Sequence, residues 1–127
     1  MKKYVAYSGR LYMIEWYFDS RDRSKARDYY NDLSDDRKRK AMTLFKLMAE
    51  QGSIMNRTKF VNEYDGIYAF KPQPDRFLCF FFVGKKIIIT NAFFKNVQKI
   101  PTQEKERAMR AFKDYETRVK NGTYYEE

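Results

Sequence analysis

Three apolar runs in the second half of the chain predict three neighbouring β-strands. They cover residues 67–71, 77–83 and 87–93 and are rich in aromatic and β-branched side chains. Short connections containing proline or glycine separate them, which favours antiparallel hairpins. Because the second and third runs are apolar without alternation, we expect these two strands to be covered on both faces and to lie centrally in the sheet.

The rest of the chain predicts one further strand and three helices. Residues 11–18 are rich in strand-forming side chains. From Arg21 onward the spacing is helical, with apolar residues at i, i+3, i+4 and i+7 between positions 26 and 33. A second helix is predicted from the N-cap Ser34 to Gly52, and the stretch 53–65 is predicted to be loop, with room for a short strand near Phe60.

The C-terminal part of the chain predicts the last helix and a tail. The apolar stripe of this helix recurs at helical spacing after Thr102, which is predicted to be its N-cap, and Asn121 and Gly122 are predicted to close it. Residues 123–127 are predicted to be a frayed tail.

The predicted element order is β-α-α-β-β-β-α. It describes an α+β domain in which an N-terminal helical hairpin packs on a mostly antiparallel sheet. We expect the helices to cover one face of this sheet and to leave the opposite face for a partner. With 127 residues, of which 43% are hydrophobic and 18% aromatic, the chain is long and apolar enough for one folded domain spanning 1–127.

The net charge and the absence of histidine restrict the partners and the reactions that the chain can support. A formal charge of +9 favours an anionic partner: nucleic acid, an acidic protein or a membrane surface. The chain has no histidine, and its only cysteine, Cys79, lies in an apolar run where a small buried side chain is expected. This composition removes the commonest general base and nearly every zinc or copper site, so we expect no metal and no cofactor.

No stretch of the sequence approaches the roughly 20 apolar residues that cross a bilayer, and the first residues lack the apolar core of a signal peptide. We therefore expect a cytoplasmic protein without a membrane partner.

Four cations stand at or near the predicted strand ends: Lys71, Arg76, Lys95 and Lys99. Asp75 is the only carboxylate among them. One interpretation is a solvated sheet edge, where lysine discourages strand pairing between molecules. The other is a binding site for an anion.

Several segments, taken in order, resemble the RelE/ParE superfamily of type II toxins, most closely its HigB-like, phage-related branch. The segments are Ile14-Glu15-Trp16-Tyr17, Leu47-Met48-Ala49-Glu50-Gln51-Gly52, Gly66-Ile67-Tyr68-Ala69-Phe70-Lys71, Arg76, Asn91-Ala92-Phe93-Phe94-Lys95 and Gln98-Lys99-Ile100-Pro101. The resemblance spans about residues 11 to 120. It implies a microbial-ribonuclease-like fold, mRNA cleavage in the ribosomal A site, and neutralisation by a cognate antitoxin, which we expect to be of the helix-turn-helix type.

Under this resemblance the cations become candidate residues for RNA cleavage. Attack of a ribose 2′-hydroxyl on the adjacent phosphate needs a base, cations that stabilise the phosphorane, and an acid. A lysine crowded by other cations has a lowered pKa, and an arginine binds two phosphate oxygens. We therefore predict that Arg76 stabilises transition-state charge and that Lys71 or Lys95 transfers the proton. The candidates for RNA binding are Arg57, Lys59 and Lys99.

Two other functions stay open at this stage. The HigB-like branch usually carries a glutamate and an arginine where this chain has Ala69 and Lys71, which keeps a ParE-like inhibitor of DNA gyrase and an inactive antitoxin-binding relative as alternatives. The basic residues from Arg37 to Lys40 are either contacts to ribosomal RNA or a solvated helix face.

Overall fold

A mixed sheet with helices on both faces forms the part of the chain that the computed structural model describes, residues 3–95 and 99–125. The strands within these ranges are β1 (Val5–Ser8), β2 (Met13–Trp16), β3 (Phe60–Asn62), β4 (Tyr68–Phe70), β5 (Asp75–Phe82) and β6 (Lys86–Phe94). The helices are α1 (Lys25–Asn31), α2 (Asp35–Gln51) and α3 (Thr102–Lys120). The strand order across the sheet is β1-β2-β6-β5-β4-β3.

The two long strands β5 and β6 lie in the middle of the sheet, as their unbroken apolar pattern predicted. They pair antiparallel with each other, and β4 pairs antiparallel with β5. On the other side of β6 lies β2, which runs parallel to it, with Met13 opposite Lys86 and Trp16 opposite Ile89. The sheet is therefore mixed rather than uniformly antiparallel, because the chain crosses over through α1 and α2 between β2 and the later strands.

The expected order β-α-α-β-β-β-α was wrong, because it lacked β1, which was not predicted, and did not count the short strand allowed near Phe60, which is β3. The described order is β-β-α-α-β-β-β-β-α. With four residues at the sheet edge and Val5 half exposed, β1 carries little hydrophobic signal. Tertiary contacts hold it instead: a Cβ on Gly9 would lie 2.4 Å from Cβ of Ala49, and the N–H groups of Leu11 and Tyr12 donate to the Ala49 carbonyl.

The expectation that one sheet face is open to a partner was also wrong. The helical hairpin covers one face as predicted, where the buried ring of Phe45 on α2 lies 5.0 Å from Phe70 and 5.4 Å from Phe77. The other face is covered by α3, whose Phe112 ring stacks on Phe80 at 4.2 Å. Strands that are apolar on both faces need cover on both, and α3 supplies the second layer.

The helix ends follow local signals with one exception. The Ser34 hydroxyl accepts the Arg37 N–H at the start of α2, and Gly52 ends that helix with φ 84°, as predicted. Thr102 was wrongly predicted to be the N-cap of α3. It is the first helical residue, and Pro101 occupies the cap position in an extended conformation without a side-chain hydrogen bond. The proline ring fixes φ of Pro101 near −61°, and its ψ of 137° makes the residue extended, so the helix begins at Thr102.

The C-terminal tail does not fray where the structure describes it. Tyr124 is 2% exposed, its hydroxyl accepts the Phe18 N–H at 2.9 Å, and its ring lies 4.6 Å from that of Tyr115. The predicted frayed tail was therefore wrong for Tyr124, because an aromatic ring fills space left at the edge of the α3 core. Its last two residues, Glu126 and Glu127, lie outside the described residues, as does Gln98.

Two further expectations concern Cys79 and the membrane. Cys79 is fully buried with a free thiol, as predicted for a small apolar side chain, and burial raises its pKa. Within residues 3–95 and 99–125, every helix is too short or too polar to span a bilayer.

Candidate functional site

Three of the predicted site residues meet at one end of the sheet, and we call them the cation cluster: Lys71, Arg76 and Lys95. Arg76 lies near the start of β5, opposite Phe93 of β6. Lys71 follows β4 directly, and Lys95 follows β6, where its N–H donates to the Pro74 carbonyl at 2.9 Å. The charge of Arg76 lowers the pKa of both lysines, which shows that the three cations lie within electrostatic reach of one another.

Arg76 is a buried guanidinium with unused hydrogen-bonding capacity. The residue is 4% exposed, and its Nε has no hydrogen-bond partner among the described residues. Its NH1 atom lies 3.4 Å from Oε2 of Glu63, which is a long contact for an ion pair. Burial lowers the pKa of Arg76, and Glu63 opposes that change. A buried cation with an unpartnered donor is costly unless an anion completes its contacts.

The two lysines of the cation cluster share a lowered pKa. For Lys71 the largest cause is burial, followed by Arg76, and Glu63 acts in the opposite direction. Its ammonium donates to the Arg57 carbonyl at 3.2 Å. For Lys95, burial and then Arg76 lower the pKa, again opposed by Glu63. Each amine is therefore easier to deprotonate than a free lysine, which a proton acceptor requires.

The carboxylate of the cation cluster is Glu63, which the sequence analysis did not select. It follows β3, and its side chain is 15% exposed. The stretch 53–65 lacks a clear period, so nothing in the local pattern marked Glu63. The signal that was available is the short strand near Phe60, which is confirmed as β3 and which carries this carboxylate to the edge of the same sheet.

Asp75, the carboxylate expected among the cations, belongs to the opposite face. It is 2% exposed and accepts hydrogen bonds from the Tyr29 hydroxyl at 2.5 Å and from Nε of Arg37 at 2.9 Å. A terminal nitrogen of Arg37 makes a further ion pair with it. Neighbouring residues of a strand point to opposite faces, so Asp75 joins α1 and α2 while Arg76 faces the other way.

The three predicted RNA-binding residues are not part of the cation cluster, and two of them contact Lys71 through their backbone carbonyls. Arg57 contributes its backbone carbonyl to Lys71, and its charge adds to the lowering of that pKa. The carbonyl of Lys59 accepts the N–H of Lys71 at 2.8 Å, and its side chain lines a shallow pocket beside Lys40. Lys99 lines a groove that also contains Glu63.

At the basic start of α2, Arg37 has a structural role that neither interpretation from the sequence included, whereas Arg39 and Lys40 lie on an exposed helix face. Arg37 is held by Asp75 and lies over the ring of Phe94, 5.6 Å from its centroid. Arg39 and Lys40 make exposed ion pairs with Asp36. Arg37 is therefore a structural residue.

Together these residues place three cations and one carboxylate at one end of the sheet. The buried Arg76 offers an unpartnered donor, two lysines with lowered pKa values flank it, and Glu63 supplies one carboxylate. Such an arrangement can bind an anion, stabilise negative charge that grows on it, and exchange protons with it.

Comparison with known proteins gives one family. Residues 28–113 match the family described as phage derived protein Gp49-like. The match begins in α1 and ends in α3, and it contains the whole cation cluster and Glu63. No curated protein matches the chain.

Proposed function

Because the chain belongs to the phage-derived Gp49-like family, which is a RelE/ParE-like toxin family, we propose that it is the toxin of a type II toxin–antitoxin system and cleaves mRNA. Within that superfamily we assign it to the HigB-like branch. The observation that carries the cleavage proposal is the buried Arg76, with an unpartnered Nε between two lysines of lowered pKa.

The proposed reaction is attack of a ribose 2′ oxygen on the neighbouring phosphorus. The 2′ proton passes to the neutral amine of Lys71 or Lys95, and the bond from phosphorus to the 5′ oxygen breaks. The leaving oxygen takes a proton from the other, protonated lysine, so the products are a 2′,3′-cyclic phosphate and a 5′-hydroxyl. Arg76 stabilises the charge that grows on the phosphate oxygens in the transition state.

Glu63 and the cations outside the cation cluster also take part in binding the RNA strand. The carboxylate of Glu63 holds the Arg76 guanidinium through one long contact, and the Nε of Arg76, which has no partner among the described residues, is left to donate to a phosphate. Arg57, Lys59 and Lys99 contact flanking phosphates, and these contacts weaken as salt rises. The strand is an mRNA on the ribosome, and the antitoxin is a helix-turn-helix protein with an acidic segment that covers the basic surface.

The test is 5′-end mapping by primer extension on a defined mRNA in a purified translation reaction, with and without ribosomes. Wild type is expected to cut at codon positions only when ribosomes are present. Arg76→Ala should lower the cleavage rate by about 10² to 10³, because it removes a donor to the transition state. Arg21→Ala, which removes an exposed arginine outside the cation cluster, should cut like wild type.

Three outcomes would contradict the proposal. Full cleavage by Arg76→Ala would remove the cation cluster from the reaction. An intact message with wild type would remove mRNA cleavage itself, and inhibition of DNA supercoiling by the same preparation would then identify a gyrase inhibitor. Expression without effect on growth would identify an inactive relative.

A further inference from the structure

A groove separates the turn between β3 and β4 from the first turns of α3. We call it the tyrosine groove. Among its lining residues are Glu63, Tyr64, Lys99, Ile100, Thr102 and Met109. Its volume is about 410 Å³, within the range of small-ligand sites. We propose that this groove binds an unpaired nucleobase of the RNA strand and that Tyr64 is its stacking surface. The proposal rests on the proposed function and adds a specific subsite to it.

Tyr64 is exposed to solvent and has an unfavourable backbone conformation. The residue is 70% exposed, and its φ of 71° begins a run of three left-handed residues that continues through Asp65 and Gly66. Only glycine adopts this region freely, so the first two positions are unfavourable. Backbone strain of this kind, kept together with an exposed aromatic ring, indicates a binding role.

Specific contacts hold the turn in this shape. The N–H of Tyr64 donates to Oδ1 of Asn62 at 2.7 Å, and the carbonyl of Tyr64 accepts the Ile67 N–H at 3.1 Å. Nζ of Lys105 on α3 lies 2.8 Å from Oδ2 of Asp65. The turn is therefore joined to the helix across the groove, and the backbone position of Tyr64 is set before a ligand binds.

The tyrosine groove reaches the cation cluster through one side chain. Glu63 lines the groove, and its carboxylate lies 3.4 Å from the guanidinium of Arg76. A strand whose phosphate binds Arg76 therefore brings a neighbouring nucleotide to the mouth of the groove. Lys99 lies on the same path and is exposed, so its ammonium is available to a flanking phosphate.

The lining fits the two kinds of surface that a base presents. Tyr64 and the apolar side chains of Ile100 and Met109, which is 41% exposed, offer flat or adaptable contacts to the face of a base. Thr102 and Glu106 offer polar groups to its edge. Because a paired base has its faces covered by neighbours in the helix, the occupant is an unpaired base of a single strand.

The experiment measures binding of a short single-stranded RNA carrying 2′-fluoro groups, which block attack by the 2′ oxygen, at low ionic strength. Tyr64→Asn removes the ring and keeps a residue type that tolerates the left-handed turn. It should weaken binding about tenfold, whereas Tyr64→Phe should bind like wild type. Val83→Ala, at another strongly exposed apolar position, on the β5–β6 turn, is the matched control and should have no effect.

A chemical cycle tests whether Tyr64 meets a base. An abasic site is moved along the oligonucleotide one nucleotide at a time. At one position the abasic site should weaken binding by wild type about as much as the Tyr64→Asn substitution does. At that same position it should not weaken binding by the Tyr64→Asn variant any further, since the two changes remove the same contact.

The outcomes separate this proposal from the proposed function. If wild type binds, Arg76→Ala binds weakly and Tyr64→Asn binds as tightly as wild type, the tyrosine groove holds no base while the cation cluster still binds RNA. Additive losses in the cycle would overturn the stacking contact in the same way. If wild type does not bind the oligonucleotide, the base-binding proposal is overturned, whereas ribosome-dependent cleavage is decided separately by the 5′-end mapping.

Discussion

Arg76 holds positive charge where burial makes charge unfavourable. A protein under selection for stability alone would place an apolar side chain at this position, because a desolvated cation without full partners destabilises the fold. Its Nε, which has no partner among the described residues, therefore indicates a position that suits an anion, and the lowered pKa of the partly exposed Lys71 agrees with this. Glu63 limits the cost of this arrangement without neutralising all three cations of the cation cluster.

The pH dependence of cleavage should identify the proton acceptor. A lysine with a lowered pKa has a larger neutral fraction at a given pH, so the cleavage rate should rise with pH as the accepting lysine loses its proton and fall again at higher pH as the donating lysine loses its own. Lys71→Arg or Lys95→Arg should abolish this rise and lower the rate by about 10² to 10⁴, because arginine stays protonated. The measurement is the pH profile of single-turnover cleavage.

The control for this profile is Lys113→Arg, an exposed lysine of α3 that lies away from the cation cluster. It should leave both the rate and the pH profile unchanged. If both Lys71→Arg and Lys95→Arg keep the wild-type profile, neither lysine is the proton acceptor.

At the scale of elements, Asp75 joins three segments of the chain. Its carboxylate receives Tyr29 of α1 and Arg37 of α2 while it belongs to β5 itself. Arg76, the residue proposed to bind phosphate, follows Asp75 directly in β5. The contacts of Asp75 with the helical hairpin therefore also fix the start of the strand that carries Arg76. Docking of the hairpin and geometry of the cation cluster are therefore coupled.

Loss of the Asp75 carboxylate should destabilise the folded state. Asp75→Ala removes the shared acceptor of two hydrogen-bond donors and should lower the free energy of unfolding by about 3 kcal/mol. The matched control is Asp36→Ala on α2, whose ion pairs with Arg39 and Lys40 are exposed, and it should cost less than about 1 kcal/mol. Urea unfolding measures both values, and equal costs would contradict the structural role of Asp75.

At the scale of the whole molecule, two helical layers enclose the sheet, and the C-terminal segment closes the layer formed by α3. Tyr124 fills a buried site there, and Tyr125 donates its hydroxyl hydrogen to the buried carboxylate of Glu15 at 2.7 Å. Nζ of Lys86 lies 3.4 Å from the same carboxylate. The end of the chain thus satisfies a buried charge in β2 and joins the first strands to the last helix.

Removal of the Tyr124 ring should destabilise the whole fold. Tyr124→Ala should lower the free energy of unfolding by about 3 to 5 kcal/mol, as expected for a large side chain deleted from a core. Thr123→Ala, a change at the neighbouring exposed position, should cost within about 0.5 kcal/mol. Thermal or urea unfolding compares the two variants. A small loss for Tyr124→Ala would mean that the tail contributes little to the core.

Local patterns were sufficient for most of the elements. The unbroken apolar runs of β5 and β6 predicted both their existence and their central place, and Ser34 and Gly52 marked the ends of α2. Such signals act within one turn or one strand, so they need no knowledge of the partner. β1 escaped prediction because its stability comes from pairing with β2 and from the close approach of Gly9 to α2.

The candidate site, too, was predicted from local sequence patterns only in part. By itself the sequence determined that Lys71, Arg76 and Lys95 stand at strand ends, because strand position follows from local hydrophobic pattern. Only the tertiary structure decided that Glu63 is their carboxylate, that Asp75 belongs to the other face, and that Tyr64 lines a groove with Glu63. Those choices depend on which strands are neighbours and on which face each side chain points to. Strand pairing joins residues far apart in the chain, and a one-residue change of register would exchange the two faces.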